Sequence, residues 1–82
     1  MEKEEFIEYV LALSEERDNY IRLGQFVFNH IDDHYGDIAR TIQHEKHVDC
    51  FYDDSKIREF LSIAFEYIKE RKLPIYHWNR GN

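Results

Sequence analysis

His30 and His34 stand four residues apart, a spacing that sets two imidazoles on one side of a helix and recurs in helical zinc sites. His44, His47 and Cys50 recur at every third position and add nitrogen and sulfur donors. Metal binding is the chemistry such a set would support. Two features argue against it. The glutamate of the metalloprotease H-E-x-x-H pattern is absent, and both members of the first pair fall inside the apolar arc of their helix, where hydrogen-bonded, partly buried histidines are ordinary. The His44–Cys50 run crosses the expected end of a helix. We therefore assign neither a metal nor a cofactor from the sequence.

The acidic loop Asp49-Cys50-Phe51-Tyr52-Asp53-Asp54 invites a calcium reading and fails it. With Asp49 as the first ligand, Asp54 occupies the place of the obligatory glycine and Phe60 that of the bidentate glutamate. Helix capping by Asp53 accounts for the carboxylate better. Phe51 and Tyr52 have two open roles, anchoring the loop on the core or offering aromatic rings to a partner, since loops carry function disproportionately. Catalysis finds little support. Asp32-Asp33 and Asp53-Asp54 are adjacent pairs, and adjacent helical residues point in different directions. Ser14, Ser55 and Ser62 lack the context of an activated nucleophile. Three glycines make no phosphate-cradling loop, and a lone cysteine beside Phe51 is more often inert. The chain reads as a non-enzyme.

A third constellation lies near the C-terminus. Arg71, Lys72 and Arg80 surround Tyr76, His77 and Trp78, with Lys69 close by. Cations with stacking aromatics suit a nucleotide or another phosphate-bearing ligand. The competing role is burial, in which Ile75 and Trp78 fold back over the core and the cations are solvated. A small domain with little core favours that second role. The candidate partner- or ligand-binding residues are thus Phe51, Tyr52, Arg71, Lys72, Tyr76, Trp78 and Arg80.

Helices must position all of these groups. Residues 2–17 predict a first helix with Phe6, Val10 and Leu13 on one stripe, Ile7 and Tyr9 beside it, and Leu11 outside it. Glu2, Glu4 and Glu5 in its first turn complement the helix dipole. Asp18-Asn19 offers a break and a cap for a second helix over 20–35, whose apolar arc holds Leu23, Phe26, Val27 and Ile31. Gly24 in or near the start of that helix implies close approach of another backbone. Asp37 is the expected N-cap of a short third helix over 38–45. A loop over 46–53 leads to Asp53 as cap, with Tyr52 and Ile57 placed for a hydrophobic staple. Ile57, Phe60, Leu61, Ala64, Phe65 and Ile68 then form the stripe of a fourth helix over 54–72, stopped by Pro74. The expected fold is all-α, a compact bundle of four short helices with a short aromatic and basic tail, as one domain over 1–82.

Eighty-two residues hide only about 60% of the surface of the unfolded chain, so an added interface would stabilise the domain, and a homo-oligomer is expected. The formal charge of −6 excludes general duplex nucleic-acid binding, which needs a basic face. That charge is uneven, with an acidic surplus in residues 1–19 and 32–54 and a basic one in 55–82, so contact between opposite parts is expected. No apolar run approaches the roughly 18 residues of a membrane span. The lone cysteine and the charged start Met-Glu-Lys-Glu-Glu fit a reducing compartment, so a cytoplasmic location is expected.

Two stretches resemble small uncharacterised phage and prophage proteins. These are Arg22-Leu23-Gly24-Gln25 followed by Phe28-Asn29, and Asp49 to Asp54 followed by Ile57, Phe60 and Leu61. Together they span about half of the chain. Cys50 stands where such loops often carry proline. The resemblance implies a phage-associated origin and a bacterial host protein as partner, bound and inhibited or modulated in the host cytoplasm. It implies no catalytic residue.

Overall fold

The computed structural model describes residues 2–75. Within it the regular elements are helical: α1 (Lys3–Ser14), α2 (Leu23–His34), α3 (Ile38–Thr41), which runs on into a π-turn (Ile42–Lys46), and α4 (Ile57–Glu70), which follows a 3-10 turn (Asp54–Lys56). The all-α expectation holds. Helix α4 carries the stripe read from its sequence: Ile57, Phe60, Leu61, Ala64, Phe65 and Ile68 are all buried. Against it lie Phe6 and Val10 of α1 and Val27 and Ile31 of α2, all fully enclosed. Ile38, Ala39 and Ile42 close the core from α3. Phe6 ties the layers together, with its ring 5.5 Å from Phe65 and 6.5 Å, edge-on, from Tyr35.

Several helix ends differ from expectation, and the reasons are non-local. Helix α1 stops at Ser14 rather than 17, because the next amides turn onto carbonyls three residues back, as in Glu16 to Leu13. The Arg17 guanidinium then closes the link, donating to the Ser14 carbonyl (2.9 Å) and the Ile21 carbonyl (2.8 Å). Asp18-Asn19 does not cap α2, which starts only at Leu23. Its cap comes from across the chain. Asp54 Oδ1 accepts the Gly24 N–H at 2.9 Å, a bond that stabilises the helix end by about 1 kcal/mol. Arg22 holds that carboxylate at 3.2 Å and also donates to the Phe51 carbonyl.

Asp37 occupies the N-cap of α3 without capping it, because its carboxylate turns to Arg71 (2.7 Å) and Thr41 (3.3 Å) instead. Asp53 does cap, accepting the Ser55 N–H at 3.0 Å. The staple between Tyr52 and Ile57 does not form. Tyr52 is 74% exposed while Ile57 is buried, and Phe51 takes the inner position with its ring 5.5 Å from Phe28.

The uneven charge is answered partly within the chain. Arg58 of α4 reaches Glu4 (2.7 Å) and Glu8 (3.8 Å) on α1, and Arg71 meets Asp37. The Arg71 guanidinium holds the Asp37 carboxyl below its usual range, and the Lys3 ammonium does the same for Glu66. These pairs are exposed and contribute modestly.

Candidate functional site: an acid-rimmed groove between two helices

Helices α1 and α2 meet along their buried stripes but diverge at the surface, leaving a groove of about 1300 Å³. Its floor is apolar, built from Tyr9, Ala12 and Leu13 on α1, Ile21 from the link, and Phe26 on α2. Its rim holds Glu4, Glu5, Glu8 and Glu16 on one side and Asp33 on the other, with no lysine or arginine among the described lining residues. Glu5 accepts the Glu2 N–H (2.7 Å), and Glu4 and Glu8 lean toward Arg58. The carboxylates of Glu16 and Asp33 make no hydrogen bond or ion pair with another described residue.

His30 and His34 belong to this groove. At helical spacing with Phe26 they form a row of rings along α2: Phe26 to His30 at 6.1 Å and nearly parallel, His30 to His34 at 4.5 Å. His34 Nδ1–H donates to the His30 carbonyl (3.0 Å), which fixes its ring against the helix. The expected apolar environment of the pair holds for His30, which is buried, while His34 is half-buried.

Among the described residues, no three His, Cys, Asp or Glu side chains converge on a point that could hold an ion. His44 and His47 are exposed, whereas Cys50 turns inward and donates its S–H to the Gly24 carbonyl (3.4 Å). The acidic loop is equally committed. Asp49 accepts from the Phe51 N–H (3.0 Å) and from Gln43 (3.0 Å), Asp53 from Ser55, and Asp54 from Gly24. Burial, with Asp49 close by, pushes the Cys50 thiol up to about 12, so the nucleophilic thiolate is suppressed at neutral pH. Cys50 is expected to stay unmodified by a disulfide reagent at pH 8 and to react stoichiometrically once urea unfolds the chain. Rapid labelling of the folded protein would contradict its placement.

The residues singled out from sequence do not form one site. Phe51 and Tyr52 precede α4, and Arg71 and Lys72 come after it. The fourteen residues of that helix separate the two groups by about 21 Å. Phe51 is half-buried and Tyr52 exposed, so the loop divides the two roles considered for it. Arg71 lies in its ion pair with Asp37 and 5.4 Å over the Tyr67 ring, and Lys72 is exposed. Tyr76, Trp78 and Arg80 lie outside the described residues. Sequence reading missed the groove. Leu13 and Phe26 counted as core, and only pairing α1 with α2 turns them into a half-buried floor between acids. Comparison with family models, with curated proteins and with solved structures finds no match to this chain.

Proposed function

We propose that this chain is a non-enzymatic interaction protein, phage-encoded, whose α1–α2 groove holds a basic, partly apolar segment of a bacterial host protein and so inhibits or modulates that host protein. One observation carries the reading: an apolar, aromatic floor rimmed, among the described residues, by five carboxylates and no lysine or arginine. Apolar contact supplies affinity in such a groove, and the rim selects cationic partners and speeds their approach. The two stretches whose residue pattern resembles that of phage proteins meet at Arg22, Gly24 and Asp54, where they fix the start of α2 and hence one wall of the groove.

The reading is tested with a fluorescent amphipathic peptide of alternating leucine and lysine, and with an acidic peptide of the same apolar pattern. The basic peptide is expected to bind in a salt-sensitive manner, and the acidic one is not. Glu16→Lys with Asp33→Lys should weaken that binding by roughly tenfold or more, while the circular-dichroism spectrum is unchanged. Equal affinity for the two peptides would overturn the reading.

A further inference from the structure

Residues 48–54 form a strap across the start of α2, and its ties converge on residues 22–24. Asp54 Oδ1 accepts the Gly24 N–H at 2.9 Å and lies 3.2 Å from the Arg22 guanidinium, which also donates to the Phe51 carbonyl. The Cys50 thiol donates to the Gly24 carbonyl at 3.4 Å. Beneath the strap, the Cys50 carbonyl lies so close to Gly24 that no side chain would fit between them.

Both ends of the strap are natural hinges. His47 before it holds a left-handed conformation (φ 60°), which strains the backbone of a non-glycine residue, and a 3-10 turn starts at Asp54. Its polar ties are open to water. The Arg22 and Asp54 side chains are 46% and 47% exposed, and exposed ion pairs resist opening weakly. Helix α4, by contrast, is held by a full stripe of buried apolar side chains. Local opening follows such differences, which puts the strap at the low end of the stability range of the fold. The first turn of α2 also belongs to the groove. Phe26 lines the floor while its N–H bonds to the Arg22 carbonyl (3.0 Å), and Ile21 lines the floor beside it.

We infer that residues 48–54 are a gating strap: they open together with the first turn of α2, and the groove is complete only while they are closed. This rests on the groove being the binding surface, and it adds a regulation of that surface. A segment seated on Ile21 and Phe26 holds the strap shut. By linkage, whatever frees the strap weakens the binding of that segment.

Cys50 is the only cysteine of the chain and is fully enclosed under the strap, so its modification reports opening. Within the minutes of an ordinary assay it stays unmodified. Over hours, a disulfide reagent at pH 8 captures it each time the strap opens. Measured across low, non-denaturing urea, this slow rate should be almost flat, because a local opening exposes little surface. Opening constants from amide exchange at Gly24 and Phe26 should show the same flat dependence. Arg22→Gln should raise labelling and exchange roughly tenfold and keep the dependence flat, since it removes charge-assisted bonds from the strap alone. Saturating leucine–lysine peptide should slow labelling and exchange several-fold in the parent chain.

A labelling rate that climbs with urea as steeply as global unfolding would release Cys50 only with the whole fold and overturn the strap. Flat labelling with steep exchange at Phe26 would leave the groove wall closed while the strap opens, which equally overturns the gating. Bound peptide that leaves both rates unchanged would overturn the coupling to the groove. Failure of the peptide to bind would sink the proposed function alone, since labelling and exchange decide the opening unit without it.

Discussion

Gly24→Ala is expected to lower the thermal unfolding midpoint by roughly 10–20 °C, an overpacking cost of about 3 kcal/mol in a domain of this size. On propensity alone the substitution would help, because alanine favours a helix over glycine by about 1 kcal/mol. Sterics reverse the sign. A Cβ at position 24 would fall far inside contact distance of the Cys50 carbonyl oxygen and 2.6 Å from Asp54 Oδ1. Neither can yield cheaply. The Cys50 backbone is held by a fully enclosed side chain whose thiol bonds back to Gly24, and Asp54 can retreat only by releasing the Gly24 N–H that it caps. Gly36 is the internal control. It needs its positive φ of 70° but has nothing within 4 Å of a built Cβ, so Gly36→Ala should cost only about 1–2 kcal/mol. Calorimetry of the two variants side by side decides the matter. Equal midpoints would contradict the close approach at position 24.

Phe6→Ala should cost more, about 3–5 kcal/mol. An 82-residue domain has a total stability of roughly 4–12 kcal/mol. The substitution therefore removes a large fraction of the whole. Phe6 is fully enclosed and its ring packs on both Phe65 of α4 and Tyr35 after α2, so its loss opens a cavity at the centre of three helices. Urea titration should show a much lower midpoint with an unchanged slope. A change under 1 kcal/mol would mean that α1 does not pack as described. Helix α1 forms one wall of the groove, so a loosened α1 should weaken peptide binding at the same time.

These two positions show what could be read ahead and what could not. Phe6, Val10 and the six apolar residues of α4 were legible because helical periodicity is local: residues three and four apart share a face whatever the rest of the chain does. Gly24 was half legible. Its type signalled a close approach, but the identity of the neighbour, a carbonyl 26 positions away, depends on tertiary structure. The caps failed for the same reason. Asp18 and Asn19 had the right chemistry in the right place, yet Asp54 from a distant loop took the first turn of α2, and Arg71 drew Asp37 away from α3. Adjacent aromatics gave no warning that Phe51 would turn in and Tyr52 out.

The groove illustrates the limit best. Glu8 and Glu16 on one helix and Asp33 on another are ordinary solvated acids when each helix is read alone. His30 and His34 suggested a metal by their spacing, whereas Phe26 before them extends the pair into a row of rings. Only the packing of α1 on α2 joins these pieces into one surface, on which the charged groups among the described residues are carboxylates.

That surface is tested most directly by amide chemical-shift mapping of isotope-labelled protein titrated with the leucine–lysine peptide. Saturable shifts should cluster at Ala12, Leu13, Glu16, Asn29 and Asp33, and should vanish in the chain carrying Glu16→Lys and Asp33→Lys. Shifts centred instead on Phe51 and Tyr52 or on Arg71 and Lys72, or no saturable shifts in the parent chain, would contradict the account.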